Sequence, residues 1–107
     1  MNLIQETKFI MDKYSIKANK SLGQNFLIDE DVVLEIVNKS EVSKDDFVIE
    51  IGPGLGTLTA LLLERAGFVT CIELDKRMVN IITDRFSFYK NFEVINEDVL
   101  KVNLKQF

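Results

Sequence analysis

The stretch Glu50-Ile51-Gly52-Pro53-Gly54-Leu55-Gly56-Thr57 decides how the rest of this 107-residue sequence is read. It follows directly on Phe47-Val48-Ile49, and with Glu50-Ile51 these residues make a five-residue β run bounded on the far side by Asp45-Asp46. It precedes a segment, Thr57 to Arg65, in which Leu58, Leu61, Leu62 and Ala66 recur at helical spacing, with Gly67 expected as the C-cap. A strand, a glycine turn and a helix in that order let backbone approach a ligand closely, because glycine accepts positive φ without a Cβ clash.

Working outward, Phe68 to Leu74 reads as a second strand, and Asp75 as the cap of a helix carrying Met78, Val79, Ile82 and Phe86. Phe92-Glu93-Val94-Ile95 is a third strand. The order β-α-β-α-β predicts parallel strands joined by right-handed helical crossovers, the first half of a doubly wound α/β sheet. Upstream, Asp29-Glu30-Asp31 supplies an N-cap and first-turn charge for a helix that would bury Val32, Val33, Ile36 and Val37 and stop near Ser40. Phe9, Ile10, Tyr14 and Ile16, after Leu3 and Ile4, fit a short amphipathic helix ending near Tyr14, and the polar stretch from Ala18 to Leu27 reads as a loop. Residues 1–28 therefore form a helix and loop in front of the β-α-β-α-β unit of residues 29–107.

Ligands of such sheets lie outside the C-terminal ends of the strands. Besides the glycine turn, Glu73 ends the second strand 21 residues beyond Gly52, with Asp75 beside it, and Asp98 follows the third strand. A carboxylate at the first position can accept hydrogen bonds from both hydroxyls of a ribose, and one at the second from an adenine amine. Dinucleotide sites ask for a glycine where this chain has Thr57, and Pro53 removes a backbone N–H from the turn. The E-x-G-x-G-x-G form resembles instead motif I of the S-adenosylmethionine-dependent methyltransferases, whose ligand has ribose and adenine but no phosphate.

Composition narrows the chemistry further. One cysteine, Cys71, makes no internal disulfide, and the absence of histidine removes Cys/His metal sites and any triad built on imidazole. The longest apolar run is the four residues Ala60 to Leu63, against roughly 20 for a membrane span. With no apolar N-terminal core to suggest secretion, the expected location is cytoplasmic. The net charge is −4, split into +2 over residues 1–23 and −6 over residues 24–107. Lys13, Lys17 and Lys20 of the basic segment are candidates for RNA phosphate contacts, with plain solvated surface as the alternative.

The segment Lys20-Ser21-Leu22-Gly23-Gln24-Asn25-Phe26-Leu27 joins Glu50 to Thr59, Glu73-Leu74-Asp75 and Asn96-Glu97-Asp98-Val99 in one combination. Together they resemble the ribosomal RNA adenine N6,N6-dimethyltransferase family, and within it the bacterial enzyme of the small-subunit RNA. The resemblance runs from about Tyr14 onward. It implies a Rossmann-like class I methyltransferase fold, S-adenosylmethionine as cofactor, and ribosomal RNA or a pre-ribosomal particle as partner. It further implies that Gln24, Asn25 and Leu27 line the methionine end of the cofactor and that Gly52 and Gly54 bring backbone against it. Glu73 would hold the ribose, Asp98 the adenine amine, and Leu74 would pack on the adenine face or, alternatively, serve as core. Asp75 reads either as a helix cap or as a ligand contact, and Phe26 either anchors its loop or touches substrate. The macrolide-resistance methylases of large-subunit RNA share the Gln-Asn-Phe segment and are the sister reading; a non-catalytic binding module and an NAD-binding half-domain are the others.

The family's reaction moves methyl groups from a sulfonium to N6 of two adjacent adenosines, and needs an Asn/Asp-hydrophobic-Pro-aromatic-aromatic motif to orient the extruded base. After Asp98 the sequence reads Val99-Leu100-Lys101-Val102-Asn103-Leu104-Lys105-Gln106-Phe107, and no proline follows Asn103. No catalytic residue is assigned, and the chain is expected to be an N-terminal part of the enzyme, inactive alone, with strand 47–51 left as an edge able to pair with another copy. Cys71 is expected to be a buried thiol, and Phe86, Phe88 and Tyr89 to be helix-face core and a helix-end plug, with a stacking platform for RNA bases as the alternative.

Overall fold

In the computed structural model the described residues are 30–106 together with Gln5, Phe9, Ile10 and Lys13. Helix α1 spans Glu30–Ser40, strand β1 Phe47–Ile51, helix α2 Thr57–Arg65, strand β2 Phe68–Glu73, helix α3 Lys76–Arg85 and strand β3 Phe92–Asn96. Short 3₁₀ turns follow at Val99–Lys101 and Leu104–Gln106. The three strands are parallel in the order β1-β2-β3, with Glu50 beside Cys71 and Glu73 beside Asn96. Both crossovers run the same way along the sheet, so right-handedness puts α2 and α3 on one face.

The centre of that face is β2. Val69 and Cys71 are fully buried and pack with Leu62, Leu63 and Ala66 of the α2 segment, Ile82 and Phe86 of the α3 segment, and Val37 of α1. Phe86 sits edge-on to Phe92 at 5.5 Å and to Tyr89 at 6.0 Å. Each such large side chain, fully buried, contributes about 1.5–3 kcal/mol, which makes this cluster the main source of stability. A second cluster joins Ile10 to Leu55, Met78 and Ile81. Gln5, Phe9, Ile10 and Lys13 are helical, as the apolar spacing of that segment predicts.

Several details differ from the sequence reading, each for a local reason. Val33 and Val37, one turn apart, bury the stripe of α1, whereas Val32 and Ile36 are 42% and 45% exposed on the flank. Gly67 is not the cap of α2: Ala66 ends that helix in an extended conformation. Glycine is needed at 67 because the Lys44 carbonyl lies where a Cβ would stand, while the Gly67 amide donates to the Asp46 carbonyl at 3.0 Å. Phe88 is no plug; it is 96% exposed, and the sealing ring is Phe86 at 4%. Strand β2 stops at Glu73 and β3 runs on to Asn96, which leaves Leu74 outside the sheet. Among the described residues no helix is long and apolar enough to cross a membrane.

Candidate functional site

The glycine turn is built by three consecutive demands on the backbone. Gly52, Gly54 and Gly56 all have positive φ, at 67°, 59° and 86°. At Gly56 a side chain is excluded twice over, by φ and by the Phe86 ring, whose Cε2 would lie 2.5 Å from a Cβ. At Gly52 the reason is different. Among the described residues a Cβ there would meet no heavy atom within 4 Å, so the glycine leaves open space over the C-terminal end of β1. The turn is pinned by the Gly52 amide on the Ile72 carbonyl at 2.9 Å and the Gly56 amide on the Pro53 carbonyl at 3.0 Å. Arg85 adds a clamp from α3, donating from Nη1 to the Leu55 carbonyl at 2.7 Å while its guanidinium lies 5.0 Å from the Phe86 ring centre. Burial pulls the pKa of that guanidinium below its ordinary value.

Glu73 stands across this opening at the end of β2, 9% exposed. Its Oε1 accepts from the Gly54 amide at 3.2 Å and its Oε2 from the Asp75 amide at 2.9 Å. A carboxylate offers about four acceptor positions, so both oxygens keep capacity for a further donor. Asn96 fixes the same corner: its Nδ2 donates to the carbonyls of Glu73 and Leu74, each at 3.0 Å, and the Glu97 amide donates to the Glu73 carbonyl at 3.2 Å. Leu74 is thereby held with 70% of its surface exposed, which rules out the core reading for it. Asp75 is the cap of α3, accepting from the Arg77 amide at 2.8 Å. Asp98 is also a cap in part, with Oδ1 accepting from the Leu100 amide at 3.0 Å.

Gly52, Gly54, Glu73 and Leu74 thus converge on one sheet edge, and Asp98 follows the neighbouring β3 on that edge. Gln24, Asn25, Leu27, Lys17 and Lys20 lie outside the described residues, as does Phe26. Lys13 is exposed and its Nζ is 3.9 Å from the Asp84 carboxylate. Two residues that the sequence reading quoted without a role prove central to the geometry. Asn96 sets the end of β2, and an asparagine at a strand end with two N–H donors was the only signal for it. Glu50 points inward: its Oε1 accepts from the Thr59 hydroxyl and from the Cys71 thiol, the latter at 3.7 Å. Burial pushes the Glu50 carboxyl above the ordinary carboxylate range, offset in part by those two donors and reinforced by the charge of Glu73. A charged residue inside an otherwise apolar strand was its signal.

A model of the family described as ribosomal RNA adenine dimethylase matches residues 15–107. The chain belongs to that family. The dimethylase relatives include a ribosomal RNA small subunit methyltransferase A from Alkaliphilus metalliredigens, 50% identical over 94% of this chain and 35% of its own length. The chain therefore spans about a third of the length of the curated dimethylases it matches. Among solved structures, a dimethyladenosine transferase from Plasmodium falciparum superposes with a TM-score of 0.71 at 32% identity, over 75% of this chain and 30% of that one. The 23S rRNA methyltransferase ErmE superposes with a TM-score of 0.69 at 38% identity, over 74% of this chain and 32% of that one. The dimethylase chain has the Rossmann-like methyltransferase fold, represented by the first half of its parallel sheet.

Proposed function

We propose that this chain is the S-adenosylmethionine-binding part of a ribosomal RNA adenine N6-dimethyltransferase that acts on small-subunit RNA. The observation that carries the reading is Glu73, clasped by two backbone amides beside an exposed Leu74 and across from the open space over Gly52. Those features suit a ribose with a flat base next to it. Glu73 would accept from the ribose hydroxyls, Leu74 would cover the adenine face, and Asp98 would take the adenine amine. Gly52 and Gly54, with Gln24, Asn25 and Leu27 from the upstream loop, would hold the methionine end. Helix α2 starts next to them with no side-chain cap and no acidic residue in its first turn, which favours a ligand carboxylate there.

When bound, the cofactor supplies an electrophilic methyl group on a sulfonium. The contribution of this chain is to orient that group and keep it in place, since positioning is the main demand of the transfer. In this reading residues 1–28 are the N-terminal, motif-bearing segment, and residues 29–107 the first half of the methyltransferase domain. The proposed RNA target is that of the small subunit, the one for which the Alkaliphilus relative is named. Lys13, Lys17 and Lys20 supply phosphate contacts, and the protein works in the cytoplasm. No residue here is assigned to the target base, so these 107 residues are expected to bind cofactor without turnover, and to self-associate through β1.

Isothermal titration with S-adenosylmethionine tests the cofactor half of this reading; saturable one-to-one binding supports it, and no heat at high ligand concentration refutes it. The likeness to ErmE keeps a large-subunit target as the second reading. Methylation assays of the parent enzyme on small-subunit precursor particles against large-subunit RNA separate the two.

A further inference from the structure

The part-buried contact between Glu50, Thr59 and Cys71 has no part in the ligand reading above, yet it spans the glycine turn. Glu50 is the penultimate residue of β1, Thr59 lies in the first turn of α2, and the turn from Gly52 to Gly56 is strung between them. Thr59 and Cys71 are both fully buried, and their Oγ1 and Sγ atoms lie 3.9 Å apart. Both donate to the same oxygen, Oε1 of Glu50. No cation pairs with the Glu50 carboxyl among the described residues. The titratable groups facing it are Cys71 and Glu73 of β2, both acids, while α2 presents only the Thr59 hydroxyl.

We propose that Glu50 is a positioning residue: its Oε1, receiving the Thr59 hydroxyl and the Cys71 thiol, clasps the end of β1 to the first turn of α2 and so fixes the path of the glycine turn. Desolvation and the Glu73 charge raise the Glu50 carboxyl above its ordinary range, while the Thr59 and Cys71 donors pull it back in part. The clasp holds Gly52 and Gly54 against the site, so its bearing on ligand affinity rests on the cofactor reading, while its bearing on stability does not.

The sign of the pH dependence follows from the raised carboxyl. Its stabilising contribution is complete below the ordinary glutamate value and is lost as pH rises through the value in the folded protein. Glu50→Gln keeps the Oε1 acceptor and cannot ionise. Thermal unfolding of the whole chain, from about pH 4 to about pH 8, is therefore expected to show Glu50→Gln at or above the wild type at the alkaline end, with the gap closing toward the acid end. Thr59→Val, which removes one donor and keeps the volume, is expected to lower the midpoint by roughly 4–8 °C. S-adenosylmethionine should bind Glu50→Gln within about threefold of wild type and Glu50→Ala at least about tenfold more weakly. A Glu50→Gln midpoint below wild type at neutral pH, or an affinity loss of about tenfold in that variant with its fold intact, would overturn the proposal, because glutamine keeps the Oε1 acceptor that the clasp needs. Failure of the wild type to bind S-adenosylmethionine would refute the cofactor reading instead, and the unfolding comparison would still decide the clasp.

Discussion

The Gly54 amide donates to Glu73 Oε1 at 3.2 Å, so the turn that ends β1 is fastened to the residue that ends β2. The two residues are 19 positions apart, and the parallel register, which sets Ile51 beside Ile72, brings them together. The same carboxylate therefore shapes the turn and faces the site.

Glu73→Ala should show both roles. Removing the carboxylate leaves the Gly54 and Asp75 amides without their acceptor, which is expected to cost about 1–3 kcal/mol of stability. Calorimetry should show S-adenosylmethionine affinity reduced at least about tenfold, corresponding to about 1.4 kcal/mol. Unchanged affinity would remove Glu73 from the site.

Gly52 and Gly56 should separate binding from stability. Gly52→Ala meets open space and suffers only the left-handed backbone, about 1–2 kcal/mol, but the new methyl group intrudes where ligand is expected. Gly56→Ala adds a collision with the Phe86 ring and should lose about 2–4 kcal/mol. Denaturant titration beside ligand titration checks the pair: the first variant should fail mainly in binding, the second mainly in folding.

Cys71 should be chemically silent in the folded chain. It is fully buried, and burial together with the neighbouring Glu50 charge pushes its thiol well above the usual range, so thiolate is scarce even in mildly alkaline buffer. Alkylation followed by mass spectrometry should label it only after denaturant is added. Rapid labelling under native conditions would contradict the described core.

Strand β1 pairs on one side only among the described residues, and Phe47 and Ile51 are 51% and 56% exposed. Sedimentation at rising concentration should reveal dimers or larger species, since an apolar edge is a template for a second strand. Phe47→Lys places a charge on that edge and should shift the distribution to monomer. A wild type that stays monomeric throughout would show that the edge is not used.

How much was legible beforehand depends on how local the cause is. The five-residue run Phe47–Ile51, the glycine turn and the leucine spacing after it specify strand, turn and helix from neighbouring residues alone. Asp75 announces its cap because its side chain reaches the amide two residues further on and needs no distant partner. The carboxylate at Glu73 was legible from its distance beyond the glycines, since a crossover helix fixes that spacing. The exposure of Val32 and Ile36 was not, because only the docking of α1 on α2 chooses which side of an apolar stripe is covered.

The sequence by itself determined the parallel β-α-β-α-β order, the three left-handed glycines and the acidic residues at the strand ends, all of which arise from local propensity and chain reach. Only the tertiary structure decided that Gly54 binds Glu73, that Asn96 turns Leu74 outward, and that Glu50 faces Thr59 and Cys71 rather than solvent. Those relationships depend on strand register and helix docking, where a shift of one residue would reverse the face each side chain presents.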